Sequence, residues 1–270
     1  MDETLAGQVS RDAAETYERS FVPALFRQWT GTMLDAARVG PDTTGVLDVA
    51  CGTGVLARAA AARLGTSSGI AGVDPNEGML AVARRLAPGI AWHAGRAEAL
   101  PSEDASFDAV LCQFGLMFFE DRVGGLRQMM RVLRPGGRLA VAVWATLENS
   151  PGFAELARLV ERHCGTRPAE ALRVPFALGD TGELASLARR AGLVDWRIET
   201  LAGVARFASI TDWIRTEVRG WSYSELVDDD RLATLVDEAR RTMVRFVAAD
   251  GSVAFDAPAH IVSATRPRDR

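Results

Sequence analysis

The sequence predicts an α/β fold, a doubly wound and mostly parallel sheet with helices on both faces. Three observations carry this expectation. Short apolar strand-like runs alternate with helical stretches from Val46 to Trp144. The run Val46-Leu47-Asp48-Val49-Ala50-Cys51-Gly52-Thr53-Gly54 leads straight from a strand through glycines into a helix. Such a turn brings backbone N–H groups and a helix N-terminus against a nucleotide-like cofactor. The next strand ends on an acid, Asp74, 20 residues after Gly54.

Each element follows from its own residues. Residues 1–16 are polar and are expected to be loose. Residues 17–38 have helical spacing, with Phe21, Leu25, Phe26, Trp29 and Met33 on one side, and Gly40-Pro41-Asp42 breaks the run. Strand Val46–Ala50 is followed by helix Val55–Leu64, strand Ile70–Asp74 by helix Glu77–Leu86. A short strand Ile90–His93, a strand Phe107–Gln113 and a helix Arg122–Leu133 come next. Pro135-Gly136-Gly137 ends that helix as a turn before strand Arg138–Trp144. Beyond Trp144 the pattern changes. Phe153–Cys164 and Glu183–Ala191 read as helices, Val194–Val204 as a strand, Thr211–Val247 as a helical stretch, and Ser252–Thr265 as a last strand interrupted by Pro258.

This divides the chain into an N-terminal helical segment (1–40) and a cofactor-binding α/β core (41–144). A helical cap (145–180 and 207–250) and a C-terminal part of the core sheet (181–206 and 251–270) follow. The cap is expected over the carboxyl edge of the sheet, where open α/β sheets bind ligands.

Composition excludes several chemistries. The 270 residues are 48% apolar, ample for a packed core, and carry a net charge of −4. No basic face for nucleic acid is expected. No apolar run approaches a membrane span, and the acidic start Met1-Asp2-Glu3-Thr4 does not read as a signal peptide. Cys51, Cys112 and Cys164 lack metal spacing and suit reduced thiols, so a cytoplasmic protein is expected, monomeric or homodimeric. All 31 residues counted as Lys or Arg are arginine. A Walker lysine, a Schiff-base lysine and a lysine general base are therefore absent, which removes P-loop hydrolysis and pyridoxal chemistry.

Gly52-Thr53-Gly54-Val55-Leu56-Ala57 with Asp74 matches a dinucleotide fingerprint with alanine at its third position, and alone it fits a nicotinamide-dependent oxidoreductase. Other signals point elsewhere. Asp48 precedes the glycines within the turn. Gly95-Arg96-Ala97-Glu98-Ala99-Leu100-Pro101 follows the third strand. Phe107-Asp108 opens the fourth, and Arg131-Val132-Leu133-Arg134-Pro135-Gly136-Gly137-Arg138 leads into the fifth. In this combined order the chain resembles the class I S-adenosylmethionine-dependent methyltransferases, and within them the ubiquinone/menaquinone C-methyltransferase-like group. The resemblance is strong over residues 17–144 and loose beyond.

The resemblance implies a Rossmann-like methyltransferase fold, seven-stranded with the last strand antiparallel, binding S-adenosyl-L-methionine and releasing S-adenosyl-L-homocysteine. It assigns the methionine part to the backbone of Ala50, Cys51 and Gly52, and both ribose hydroxyls to Asp74. Pro75 and Met79 would pack on adenine, and the backbone of Ala97, with Glu98, would meet its edge. Gln113 and Phe114 would lie near the sulfonium, with Tyr17 closing the pocket. Two positions depart from the family pattern. Ala50 stands for its first glycine, and Arg96 stands where many relatives carry an aspartate that bonds the adenine amino group; a guanidinium only donates.

The implied reaction is methyl transfer to a small organic acceptor through an O, N or C nucleophile. The alternatives are a methyltransferase-fold protein with a binding or non-methyl role, and the oxidoreductase. No metal spacing and no His/Asp pair singles out a catalytic residue. His93 and His260 read as structural, and His163 is the best base candidate. Candidate pocket aromatics and their neighbours are Phe114, Met117, Phe118, Trp144, Phe153, Trp213, Trp221 and Tyr223. Arg215, Arg219 and Arg245 are candidates for a local anion site.

Overall fold

The computed structural model describes residues 11–220 and 226–268. Seven strands form the main sheet: β1 (Val46–Val49), β2 (Ile70–Asp74), β3 (Ala91–Ala94), β4 (Phe107–Gln113), β5 (Leu133–Trp144), β6 (Arg197–Leu201) and β9 (Ala259–Thr265). Their order is β3-β2-β1-β4-β5-β9-β6. β1 to β5 pair in parallel, and β9 runs antiparallel between β5 and β6. The doubly wound, seven-stranded sheet with an antiparallel last strand is therefore what forms. β1 and β2 are buried along their whole length, as a sheet covered on both faces requires. Strand order reverses between β1 and β4, which opens a crevice beyond their carboxyl ends. Helices α3 (Val55–Leu64), α4 (Glu77–Leu86), α5 (Arg122–Val132) and α8 (Thr181–Ala191) connect the strands.

Several elements differ from expectation. The first helix starts within the segment expected to be loose: α1 is Arg11–Thr16. It continues as a π-helical segment, Tyr17–Phe26, then a tight turn Arg27–Trp29 and α2 (Thr30–Ala36). Pro23 inside the segment has no N–H to donate, so regular α-helix cannot run through it. Gly136-Gly137 does not form a free turn. It lies within β5 beside a register shift, and pairs with Arg266 through Gly136 N–H to Arg266 O and Arg266 N–H to Gly137 O, both at 2.9 Å.

The two C-terminal strands each split. Val194–Val204 divides into β6 and β7 (Val204–Phe207), and Ser252–Thr265 into β8 (Val253–Asp256) and β9. β7 and β8 pair with each other as a separate two-stranded sheet, so they are not part of the core sheet. The corners coincide: Ala257 N–H donates to Gly203 O at 2.8 Å, and Pro258 offers no donor to continue the ladder. Gly203 fits this corner because a Cβ would run into the Trp29 ring.

The remaining helices are α6 (Pro151–Cys164), α7 (Thr166–Arg173), α9 (Ile210–Arg219) and α10 (Asp229–Thr242). They share an aromatic core with β7 and β8: Trp213 meets Phe255 at 4.6 Å and Phe207 at 5.8 Å, and Phe153 stands edge-on to Phe255 at 5.1 Å. The helical part of the chain thus carries a small sheet of its own. Among the described residues no helix is long and apolar enough to cross a membrane.

Candidate functional site

The turn after β1 uses left-handed backbone at three alternate positions, Ala50 (φ 56°), Gly52 (φ 54°) and Gly54 (φ 84°). Glycine takes this conformation freely; Ala50 does so under strain. Gly54 caps α3 without a side-chain bond, so the N-terminal amides of α3 need another acceptor. Asp48 supplies it: its Oδ2 accepts from Ala57 N–H at 3.0 Å. This acid organises the loop. Burial pushes its carboxyl up to about 8, against the Ala57 hydrogen bond.

Beneath the turn lies Trp92, a residue that sequence reasoning missed. A Cβ on Gly54 or on Gly72 would overlap its indole ring, which also donates from Nε1 to Ala87 O at 2.9 Å. The signal was the alternation in β3, which turns Trp92 inward and leaves His93 exposed.

Asp74, at the end of β2, bridges two loops. Its Oδ2 accepts from Gly52 N–H and its Oδ1 from Asn76 N–H, each at 2.8 Å. Asn76, not Asp74, caps α4, accepting from Met79 N–H at 2.9 Å. Burial raises the Asp74 carboxyl to about 6, and the two amide bonds restrain the rise. Pro75 is exposed and Met79 partly so, at the mouth of this loop.

Across the switch point, Tyr17, Asp48, Ala50, Cys51, Thr53 and Gln113 line a narrow cavity of about 20 Å³. Burial pushes the Tyr17 phenol well above its ordinary range, with Asp74, Glu18 and Asp48 adding to it, so the hydroxyl stays neutral. Burial likewise pushes the Cys51 thiol up, which fits a packing role. Thr53 Oγ1 and Gln113 Oε1 are buried here without a hydrogen-bond partner. Such groups cost free energy unless a ligand satisfies them. Phe114 follows Gln113 in left-handed backbone (φ 56°) and stacks on Trp144 at 3.9 Å, with Phe26 and Trp29 around the pair.

Ala97 is buried in a short turn, Ala97–Ala99. Glu98 is already engaged: its Oε1 accepts from the N–H groups of Glu120 (3.0 Å) and Asp121 (3.4 Å). Arg96 pairs with Glu120 at 2.8 Å and lies 3.6 Å from Glu98. The Phe107-Asp108 and Arg134 signals belong to the opposite end of the sheet. Asp108 accepts from Arg134, from the Thr44 hydroxyl, and from the N–H groups of Thr44 and Gly45.

Other candidates are placed elsewhere. His163 Nε2 lies 2.5 Å from Glu238 Oε2, joining α6 to α10. His260 is buried between Thr200 and Gly179. Phe153 and Trp213 belong to the aromatic core of the helical part, apart from the Phe114–Trp144 pair; Met117 is buried and Phe118 exposed. Trp221 and Tyr223 lie outside the described residues. The three arginines form no common anion site. Arg215 lines a separate groove with Arg240, Arg219 pairs with Asp229, and Arg245 with Glu155. Among the described residues no cluster of three His, Cys, Asp or Glu is gathered as for a metal.

Residues 46–137 match a family model described as a methyltransferase domain. A demethylmenaquinone methyltransferase of Beutenbergia cavernae is 41% identical over 132 residues, 47% of this chain and 53% of the relative. The chain thus spans about half the length of that relative. Among solved structures, the YcgJ protein of Bacillus subtilis is similar with a TM-score of 0.59 at 21% identity, covering 90% of this chain and 99% of its own. Phosphoethanolamine N-methyltransferase 2 of Haemonchus contortus, in complex with S-adenosyl-L-methionine, is similar with a TM-score of 0.60 at 19% identity, covering 96% of this chain and 58% of its own. These two likenesses concern the fold.

Proposed function

We propose, from the match of residues 46–137 to a methyltransferase domain, that this protein transfers a methyl group from S-adenosyl-L-methionine to a small organic acceptor. The observation that carries the reading is Asp74. It ends the strand beside the glycine turn, is tied to that turn through Gly52, and keeps lone pairs for a ribose diol.

The residues fit the cofactor. The orphaned Gln113 Oε1 suits the ammonium of a methionine moiety, as an acceptor, and the Thr53 hydroxyl suits its carboxylate, as a donor, while the bare Gly52 backbone allows close approach. Pro75 and Met79 offer an apolar face for adenine, with the thioether of Met79 suited to an aromatic ring. The backbone of Ala97 would meet the adenine edge. Glu98 holds the loop after β4 through its Oε1, so its part at adenine is an indirect one. Tyr17, which lines the cavity, would close the site from the N-terminal segment.

A bound S-adenosyl-L-methionine supplies a methyl group already activated by its sulfonium. What remains for the protein is orientation in a dry pocket, which contributes roughly 7–11 kcal/mol to such a step. Gln113 and Phe114, at the carboxyl end of β4, would hold the reacting end. The buried Phe114–Trp144 stack would help to wall that end from water. His163 pairs with Glu238 on α10 rather than with this wall, which argues against it as the base.

Isothermal titration tests the reading. Micromolar binding of S-adenosylhomocysteine with no response to NADH or NADPH is expected. Binding of a nicotinamide nucleotide alone would replace the reading with an oxidoreductase. Binding of S-adenosylhomocysteine without methyl transfer to any acceptor in a panel of phenols, amines and quinols would favour a binding role for the fold.

A further inference from the structure

The segment that carries Tyr17 is fastened to the core by charge. Glu18 Oε1 accepts from Arg58 at 2.7 Å, with the Arg58 and Glu18 side chains only 26% and 15% exposed. One turn earlier, Glu15 accepts from Arg85 of α4 at 2.7 Å. Arg58 stands in the first turns of α3, and its Nε also donates to Gly54 O at 3.3 Å. One guanidinium therefore joins the glycine turn to the N-terminal segment. Tyr17 sits over the same turn, its ring 3.9 Å from where a Cβ on Gly52 would lie.

With Tyr17 in this position, the cavity it lines holds about 20 Å³. Sites that enclose a drug-sized ligand need roughly 300–1,000 Å³. The methionine part of the cofactor therefore needs more room at the glycine turn than this arrangement leaves, and Tyr17 is the wall that the N-terminal segment contributes. The segment is suited to moving. It is π-helical around Pro23, so it lacks the regular bond ladder of an α-helix. The second oxygen of Glu18 is buried without a hydrogen-bond partner, so opening hydrates a half-satisfied charge.

We propose that the Arg58–Glu18 pair is a latch: it positions the Tyr17 segment on the glycine turn and sets the rate at which the cofactor enters and leaves. Arg58 is a positioning residue, acting through Glu18 on Tyr17. The proposal rests on the S-adenosyl reading of the site, and adds to it a control on access.

The test is a double-mutant cycle of Glu18→Gln and Arg58→Gln, read by stopped-flow binding of S-adenosylhomocysteine. Each single variant is expected to raise both association and dissociation rates about two- to five-fold, the range of a partly exposed ion pair. The dissociation constant stays nearly unchanged, because the latch acts on both the free and the bound state. The double variant matches either single one. Amide exchange of residues 17–26 in the cofactor-free protein rises by a similar factor in each variant. Unchanged rates and exchange in the single variants, or effects that add in the double, overturn the latch. If the wild type fails to bind S-adenosylhomocysteine, the cofactor reading falls, and the exchange measurement still decides the latch.

Discussion

Gly52 N–H donates to Asp74 Oδ2 at 2.8 Å, so the turn after β1 and the acid that ends β2 are one unit. Replacing Asp74 therefore removes a ribose partner and loosens the turn together. Asp74→Ala is expected to lower S-adenosylhomocysteine affinity about a hundred-fold, from two lost hydrogen bonds to a charged acceptor. Isothermal titration measures it, and affinity within error of the wild type would remove Asp74 from the site.

The same carboxyl gives affinity a pH dependence. Asp74 is raised to about 6 by burial. Only its ionised form accepts two hydroxyls, so affinity is flat above about pH 7 and falls as pH drops through about 6. Stability of the cofactor-free protein runs the other way. A raised carboxyl contributes stability that is fully present below its unfolded value near 3.8 and lost as pH rises through about 6. Titrations and thermal melts across that window check both signs.

Asp48 extends this destabilisation to higher pH. Its carboxyl is raised to about 8, so the stability it contributes is lost as pH rises from its ordinary value near 3.8 through about 8. Asp48→Asn keeps an oxygen for Ala57 N–H and carries no charge. It is expected to equal the wild type near pH 4 and below, and to exceed it by a few kcal/mol at pH 9, measured by urea unfolding. A variant less stable than the wild type at pH 9 would show that the ionised carboxylate itself is needed there.

His260 holds β9 to two neighbours. Its Nε2 lies 2.9 Å from Gly179 O, which only accepts, so Nε2 carries the proton and Nδ1 accepts from the Thr200 hydroxyl at 2.8 Å. His260→Ala leaves the buried Gly179 carbonyl without its partner and opens a cavity in β9. A loss of about 2–4 kcal/mol in urea unfolding is expected, with S-adenosylhomocysteine affinity as in the wild type.

The parallel half of the sheet was legible because each element there satisfies itself locally. β1 and β2 read as buried strands, and Gly52, Gly54 and Asp74 mark backbone and charge requirements visible at a fixed spacing. The C-terminal half was not legible, because β7 leaves β6 at Gly203 for a reason that lies far off in sequence, the Trp29 ring. Glu98 shows the same limit. The amides that its Oε1 accepts from, Glu120 and Asp121, come from a loop beyond the next strand and leave no mark at Glu98 itself. The widening of the first helix at Pro23 was visible as a proline but not as a π-helical segment, since helical spacing alone does not separate the two.

Trp92 offers the sharpest stability test of the glycine turn. Its ring fills the space beside Gly54 and Gly72, so the turn rests on a fixed aromatic floor. Gly54→Ala suffers twice: the backbone there is left-handed (φ 84°), and the new Cβ overlaps the indole. Strain of this kind costs about 1–3 kcal/mol, and overpacking a similar amount again. Pairing it with Trp92→Phe separates the two terms, because the smaller ring relieves the overlap and leaves the backbone strain. The double variant is expected to recover part, and not all, of the stability lost in Gly54→Ala relative to Trp92→Phe alone. Full recovery would show that the left-handed conformation costs alanine nothing here, as the strained Ala50 in the same turn would then also suggest.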